Sequence, residues 1–193
     1  MKEIILASGS EFRREILSKL AISFHQQAAD VDETALVDES PSQLVQRLSI
    51  KKAKALVMDF PDALIIGSDE VAVLDDKILG KPHTHENATA QLRAASGKTM
   101  AFYTGLCLLD AESGRTQVEV ETGHVQFREL SDEVIEAYLQ HEKPYSSAGS
   151  VKAEGLAIAL FSDMKVNDPN AIIGLPLIKL VSMLHNEGVA CPK

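Results

Sequence analysis

The chain has 193 residues with a formal net charge of -9, and 45% of its residues are hydrophobic and 24% charged. This length and composition are typical of an ordinary globular protein and exclude a disordered chain. The acidic balance argues against an extended nucleic-acid surface, because affinity for polyanions comes mainly from distributed lysine and arginine. An anionic ligand is therefore expected to be small and held locally.

The cysteines and the apolar segments indicate the compartment. Cys107 and Cys191 lack the spacing of a metal site and favour a reducing environment. The N-terminal apolar run is too short for a signal peptide, and no segment approaches membrane-spanning length. We therefore expect a cytoplasmic protein that has no membrane partner.

The first sixty residues alternate between apolar runs and polar turns. Residues 4–7 predict a short strand, followed by a small-residue turn and a helix from about residue 11 to 20 with Ser10 as its N-cap. Residues 22–34 predict a strand that runs into an acidic loop. Ser40 and Pro41 then open a second helix, because proline is well tolerated at the first helical position.

The middle of the chain is rich in strand-forming residues. Residues 63–73, ALIIGSDEVAV, predict a buried strand that breaks at Gly67 and resumes, and residues 73–82 predict a hairpin with two aspartates at its tip. A helix over about 85–95 follows and ends before Gly97. Two long β-rich runs on either side of the turn AESG then predict a long hairpin in a mixed sheet.

The last third predicts two helices joined by a long loop and a strand. Ser131 caps the first helix, and the loop over 142–160 is expected to end in a strand. The last helix runs from about residue 177 to 186, with Gly188 at its C′ position. No repeat or linker divides the chain, so we expect one α/β or mixed α+β domain over 1–193, in which 97–139 could form a lobe beside a cleft.

The stretch SGSEFRR at residues 8–14 has the composition of an anion site. Arginines in the first turn of a helix cost about 0.3–1 kcal/mol each unless an anion lies nearby. Small residues let the backbone approach such an anion, and arginine binds phosphate oxygens with both arms. Ser8, Arg13 and Arg14 are thus candidate phosphate ligands. The stretch lacks a Walker A motif, and a capped helix with two surface arginines explains it equally well.

Two acidic clusters, DVDE at 30–33 and GSDE at 67–70, could serve a metal ion. Mg²⁺ takes oxygen ligands and bridges phosphate oxygens, and an aspartate that follows a buried strand needs a partner or a task. Lys52 and Lys81 could neutralise a triphosphate. A solvated acidic loop and ordinary surface lysines are the plain alternatives.

Taken together, the motifs LASGSEFRR, DVDET, LIIGSDEVAVLDDKILGKP and AGSVKAEGLAIALF with DPNAIIGLPL resemble the Maf family of nucleotide pyrophosphatases. The match runs from about residue 4 to 184. The resemblance implies a Maf/ITPase-like fold, an elongated mixed sheet flanked by helices with a central nucleotide-binding cleft. It also implies metal-dependent hydrolysis of a nucleoside triphosphate to the monophosphate and pyrophosphate. A small nucleotide is then the partner, and a homodimer is common in the family.

The resemblance also implies roles for individual residues. Asp69 matches the family's proton acceptor, and Glu33 and Asp69 match residues that serve a divalent cation, Mg²⁺ or Mn²⁺. The residues that match phosphate ligands are Ser8, Arg13, Arg14, Lys52 and Lys81.

Three positions resemble the 7-methyl-GTP pyrophosphatase branch of the family: Phe12, Glu70 and Glu154. A carboxylate at 154 can accept hydrogen bonds from the N1–H and N2–H edge of guanine, and an aromatic ring can stack on a cationic base. The branch usually carries tryptophan at 12 and glutamine at 70. Glu70 could therefore contact the base, bind metal, oppose the charge of the base, or have no role. The alternatives are a broader house-cleaning pyrophosphatase and a nucleotide-binding regulator of cell division with weak turnover.

Overall fold

The computed structural model describes residues 2–191, which form two compact units. Unit 1 comprises residues 2–69, 104–121 and 168–191, and unit 2 comprises residues 70–103 and 122–167. Each unit is thus built from stretches that are distant in the chain. The single domain and the lobe over 97–139 stay predictions.

Seven strands and five α-helices form within the described residues. The strands are β1 (Ile4–Ala7), β2 (His25–Gln27), β3 (Leu64–Leu74), β4 (Lys77–Leu79), β5 (Thr99–Asp110), β6 (Thr116–Phe127) and β7 (Phe161–Lys165). The α-helices are α1 (Glu11–Ser18), α2 (Pro41–Ala55), α3 (His85–Ala95), α4 (Asp132–Glu142) and α5 (Leu177–Asn186). Three short 3₁₀ helices lie at Ala148–Ser150, Leu156–Leu160 and Pro169–Ile173.

The strands hydrogen-bond in the order β2-β1-β3-β5-β6-β7, and β4 pairs with β3. β1 is parallel to β2, with Ile5 opposite His25, and parallel to β3, with Ile4 opposite Leu64. β4 is antiparallel to β3, and β7 is antiparallel to β6. Both pairing directions occur in one seven-stranded sheet, so the predicted mixed α/β class is confirmed.

The helices begin where the sequence predicts, because their N-caps are local. The hydroxyl groups of Ser10, Ser40 and Ser131 accept hydrogen bonds from the backbone N–H of the third residue of α1, α2 and α4. Such a cap stabilises a helix by about 1 kcal/mol. The last helix also ends as predicted, with Gly188 in the left-handed region at φ +74°.

Two predicted elements are wrong. β3 runs without a break through Gly67, because this glycine makes room for a neighbouring helix rather than interrupting the strand. The apolar run over 156–160 is a 3₁₀ helix, and the strand follows it at Phe161–Lys165. A short apolar run without a clear period fits a helical turn and a strand equally well.

The sheet in unit 1 has an apolar core on each face, because successive side chains of a strand alternate between faces. Ile4 and Leu6 of β1 pack in one cluster with residues of α1 and α5. Ile5 and Ala7 pack in a second cluster with Ala53 of α2. Cys107 lies in the second cluster, where burial raises the pKa of its thiol to about 12. At neutral pH this thiol is therefore uncharged.

The core of unit 2 is formed by α3, α4 and the ends of the long strands. α3 and α4 contact each other, and Leu92, Tyr138 and Leu139 are buried. The rings of Phe127 and Phe161 meet edge to face, with centroids 5.2 Å apart. None of the helices within residues 2–191 is long and apolar enough to cross a membrane.

Candidate functional site

The turn between β1 and α1 forms the first part of the candidate site. Ser8 is buried, and its hydroxyl accepts a hydrogen bond from the N–H of Ser10 at 3.2 Å. Gln26 of β2 fixes the turn further, because its amide Nε2 donates to the carbonyls of Ser8 at 2.8 Å and Ser10 at 3.1 Å. Gln26 was missed in the sequence, since a polar residue in a short strand carries no signal for this role. The turn is therefore held at the C-terminal end of a parallel strand, where ligands of open α/β sheets bind.

The two arginines of α1 have different partners. Arg13 is half-buried, and its Nε donates to the carbonyl of Gly174 at 2.8 Å while its Nη1 lies 3.4 Å from the Ser8 hydroxyl. Arg14 is exposed and pairs with Glu11 in the same helix at 2.5 Å. Glu11 supplies a carboxylate in the first turn, which offsets the arginine charge there. The helix thus tolerates both arginines without a bound anion, and their contact with phosphate stays a prediction.

The carbonyl of Gly174 accepts hydrogen bonds from side chains of both α1 and β3. Besides the Arg13 bond, this oxygen lies 2.8 Å from the hydroxyl of Ser68, which also lies 2.7 Å from the carbonyl of Gly105. Gly174 has φ +109°, and a Cβ there would come within 2.9 Å of the Arg13 Nε. Only glycine both adopts this positive φ readily and leaves room for the Arg13 side chain. The segment DPNAIIG therefore orients Arg13 although it lies 161 residues away in the chain.

Asp168 holds that segment in place. It is 1% exposed, and its carboxylate accepts hydrogen bonds from the N–H of Asn170 at 2.9 Å and the N–H of Ile178 at 2.8 Å. These bonds cap the 3₁₀ helix at Pro169–Ile173 and satisfy a donor in the first turn of α5. Asp168 lies inside a motif that the sequence singles out, and its contacts are structural.

Lys52 is the centre of a buried charge cluster. Its ammonium Nζ lies 2.5 Å from Asp69 Oδ1 and 2.6 Å from Glu33 Oε1. The side chains of Lys52 and Asp69 are each 9% exposed, whereas that of Glu33 is 50% exposed. A buried charge is tolerated when a partner of opposite charge compensates for lost water. The structure thus brings together three of the residues predicted from the sequence.

Two glycines place Lys52 beside Asp69. A Cβ at Gly67 in β3 would collide with the carbonyl of Ser49 in α2, and a Cβ at Gly105 in β5 would collide with the carbonyl of Val45. The helix backbone therefore lies directly against the two strands. Lys52 is one turn beyond Ser49, so this close packing brings its side chain to Asp69 in the middle of β3.

Glu33 and Asp69 carry carboxylate oxygens, the kind of ligand that a divalent cation prefers, and their binding of a cation stays a prediction. Both carboxylates contact one point, the Lys52 ammonium, and Mg²⁺ sites in nucleotide enzymes commonly use one or two carboxylates together with substrate phosphates. Within residues 2–191, no group of three or more His, Cys, Asp or Glu side chains could hold a metal ion. A cation here would therefore need further oxygens from a substrate or water.

Phe12 and Glu70 lie on regular elements. Phe12 is half-buried in α1, and Glu70 is half-buried in β3 directly after Asp69. Because side chains alternate along a strand, Glu70 projects to the opposite face from Asp69. Their adjacency in sequence therefore does not make them a pair of ligands on one face.

Lys81 is exposed in the segment that follows β4 in unit 2. On one side of it, the carbonyl of Gly80 accepts hydrogen bonds from Gln91 Nε2 at 3.1 Å and from the N–H of Gly149 at 3.4 Å. On the other side, the N–H of His83 donates to the carbonyl of Tyr145 at 3.0 Å. The backbone on both sides of the Lys81 side chain is thus fixed by its own unit.

Glu154 is exposed in unit 2, in the stretch between the 3₁₀ helices Ala148–Ser150 and Leu156–Leu160. The N–H of Gly155 donates to the carbonyl of Lys152 at 3.0 Å, which forms a turn around Glu154. This turn places Glu154 on the surface of unit 2, and its contact with a base stays a prediction.

Comparisons with known proteins identify the relatives of this chain. A 7-methyl-GTP pyrophosphatase from Colwellia psychrerythraea is 52% identical over 189 residues, which cover 98% of this chain and 94% of that protein. A protein of the same name from Pseudomonas savastanoi pv. phaseolicola is 50% identical over 192 residues and is matched along 100% of both chains.

One solved structure and one family model also match this chain. A HAM1 protein from Coxiella burnetii superposes with a TM-score of 0.54 over 96% of this chain and 100% of that chain, at 14% identity, which supports the fold alone. The sequence pattern of Maf-like proteins matches residues 3–187. The buried Lys52–Asp69 pair, the capped turn after β1 and the segment around Gly174 all lie within that match, and the chain belongs to the family of Maf-like proteins.

Proposed function

We propose that the protein hydrolyses 7-methyl-GTP to 7-methyl-GMP and pyrophosphate. The observation that carries this proposal is the set of relatives that are 50–52% identical over nearly the whole chain and share the name 7-methyl-GTP pyrophosphatase. The charge cluster around Lys52 supports it, because it holds a carboxylate and a cation 2.5 Å apart, and phosphoryl chemistry uses such groups for proton transfer and charge stabilisation.

In the proposed reaction, water attacks the α-phosphorus and pyrophosphate leaves. Asp69 accepts the proton from water, and no covalent intermediate with the protein is needed. The departing pyrophosphate carries several negative charges, which require positive groups to stabilise them. The protein groups that bind phosphate oxygens in this proposal are Ser8, Arg13, Arg14, Lys52 and Lys81.

Glu33 and Asp69 would hold a divalent cation, Mg²⁺ or Mn²⁺, because oxygen atoms of carboxylates are the ligands that these ions prefer. When bound, such an ion neutralises phosphate charge. Lys52, which contacts both carboxylates at 2.5–2.6 Å, keeps them together before substrate arrives.

Base selectivity is assigned to Glu154, Phe12 and Glu70. The Glu154 carboxylate accepts hydrogen bonds from the N1–H and N2–H groups of guanine, which pyrimidines do not offer in this arrangement. A pocket for the methyl group alone discriminates by about 1–3 kcal/mol. Stacking of the cationic base on Phe12 adds about 0.5–2 kcal/mol. Glu70, which carries the opposite charge to the methylated base, is the third group in the proposal.

The first experiment compares substrates. Initial rates of pyrophosphate release are measured from 7-methyl-GTP, GTP, dTTP, UTP and CTP, with Mg²⁺ and with chelator. We expect 7-methyl-GTP to be hydrolysed fastest and all turnover to stop with chelator. Equal turnover of the other nucleotides would instead indicate a broader house-cleaning pyrophosphatase, and binding without turnover would indicate a regulator.

Two further measurements test the proposed assembly and location. Light scattering of the same sample tests the expected homodimer, and fractionation of cells tests the expected cytoplasmic location.

A second experiment tests the guanine contact. Glu154→Ala is expected to lower the ratio of kcat/KM for GTP over UTP by about tenfold, because about 1.4 kcal/mol of selective hydrogen bonding is lost. Glu133→Ala on the exposed face of α4 is the control, since it removes the same side chain elsewhere in unit 2. An unchanged ratio in the Glu154 variant would show that this carboxylate does not recognise guanine.

A further inference from the structure

The last residue of α4, Glu142, contacts the chain on both sides of Glu154. Its Oε1 accepts a hydrogen bond from the N–H of Leu156 at 2.6 Å, and its backbone carbonyl accepts one from the Nζ of Lys152 at 2.6 Å. Its side chain is 15% exposed, so most of it lies against the protein. Two bonds from one residue thus bracket the turn that presents Glu154.

The intervening residue, Gly155, allows this close contact. A Cβ at this position would come within 2.5 Å of Glu142 Oε1 and 2.9 Å of its Cδ. Real Cβ atoms do not approach that closely, so the carboxylate occupies the space that any other residue would fill. The backbone beside Glu154 and the side chain of Glu142 therefore fit directly against each other.

Tyr138, one turn earlier on α4, fixes the start of the same stretch. It is 2% exposed, and its hydroxyl donates to the carbonyl of Ser150 at 3.1 Å and accepts from the N–H of Lys152 at 3.0 Å. Burial raises the pKa of this hydroxyl, which keeps it protonated and able to donate. Residues four apart on a helix lie on one face, so Tyr138 and Glu142 form a single surface against residues 150–156.

We propose that Tyr138 and Glu142 are positioning residues that orient Glu154 for recognition of the base. This inference rests on the proposed function, because it assumes that Glu154 reads the guanine edge. The Gly155–Lys152 backbone bond closes the turn around Glu154, and the bonds from α4 fix the chain on both sides of this turn. A misplacement of about 1 Å in an active site lowers the reaction rate by as much as about a hundredfold.

The test uses the full-length protein and compares Glu142→Ala with Glu142→Gln. The alanine variant removes the acceptor for the Leu156 N–H, whereas the glutamine variant keeps an oxygen that can accept it. We expect the alanine variant to lower the ratio of kcat/KM for 7-methyl-GTP over UTP by about tenfold, chiefly through a higher KM for 7-methyl-GTP. Glutamine should restore the ratio to within about threefold of the parent, since the hydrogen bond persists. Tyr138→Phe should act like the alanine variant.

Glu133→Ala provides the matched control, because it makes the same exchange at an exposed site on α4. The parent protein is measured first: if it shows no preference for guanine over uracil, the proposed function fails and the inference fails with it. If the parent has the preference and Glu142→Ala keeps it, the inference alone is overturned. If the alanine variant does not fold, Glu142→Asp replaces it, since a shorter side chain should lower the ratio in the same way.

Discussion

Replacing Asp69 by asparagine is expected to lower kcat for pyrophosphate release by about 10²- to 10⁴-fold, the usual contribution of a general base. Asparagine has nearly the same shape as aspartate but does not accept the proton of the attacking water. Triphosphate binding should remain measurable, because the turn after β1 and the arginine bonds of α1 do not involve Asp69. Rates of pyrophosphate release and binding isotherms for a non-hydrolysable triphosphate give the two quantities.

The fold should tolerate this change. Lys52 loses one partner but keeps Glu33 at 2.6 Å. The loss of stability should therefore be smaller than the about 3–5 kcal/mol expected when a buried charge has no partner left.

A second ion pair in unit 1 supplies a matched control for the Asp69 variant. Lys2 lies 2.5 Å from the buried Asp110 and 2.9 Å from the more exposed Glu112, much as Lys52 lies between Asp69 and Glu33. Asp110→Asn should reduce stability modestly and leave kcat near that of the parent. Turnover of Asp69→Asn within about threefold of the parent would exclude this residue as the proton acceptor. An equal loss of turnover in the Asp110 variant would assign the effect to folding.

Gly67→Ala is expected to destabilise the protein by at least about 1–3 kcal/mol, the usual cost of inserting a methyl group into a filled core. The added Cβ would collide with the Ser49 carbonyl and lie 2.9 Å from the N of Ala53, and both are backbone atoms of α2. The helix must therefore move, and Lys52 moves with it. Urea denaturation should show a lower midpoint with an unchanged slope, and pyrophosphate release should slow in the folded fraction.

Gly80→Ala is the control for this prediction. No heavy atom lies within 4 Å of a Cβ built at Gly80, and its backbone is outside the left-handed region. Alanine there should leave the denaturation midpoint unchanged or raise it slightly, because it restricts the unfolded chain. Equal midpoints for the two alanine variants would show that α2 has room to shift away from β3.

The parts of the fold that depend on local chemistry could be predicted from the sequence. The caps at Ser10, Ser40 and Ser131 each act within three residues, and the two-residue turn at Asp75 and Asp76 joins β3 to β4 as predicted. The predicted break of the strand at Gly67 is wrong, because the local pattern around a glycine does not show which distant residues it contacts. A glycine that makes room for a helix elsewhere in the chain has the same local pattern as one that ends a strand.

The candidate site depends on contacts between distant residues, which local patterns do not report. Asp69 and Lys52 were selected as chemically suitable and matched to the family, but only the packing of α2 on β3 places their charges 2.5 Å apart. The bond between Arg13 and Gly174 spans 161 residues and had no signal in the spacing. Glu142 was missed because a carboxylate at the end of a surface helix is usually solvated.

Unit 1 is built from three separate stretches of the chain, so it is completed only late in translation. Residues 4–18 contribute Ile4, Leu6 and Ile16 to a core that also needs Leu180 and Leu184 of α5. A ribosome adds about 5–20 residues per second, so the first segment waits about 10–30 s for its last partners. A nascent chain that lacks residues 168–191 also lacks the carbonyl that holds Arg13. The turn after β1, which we propose binds the triphosphate, is therefore encoded first but completed last, and an interrupted translation product would lack the bond that orients Arg13.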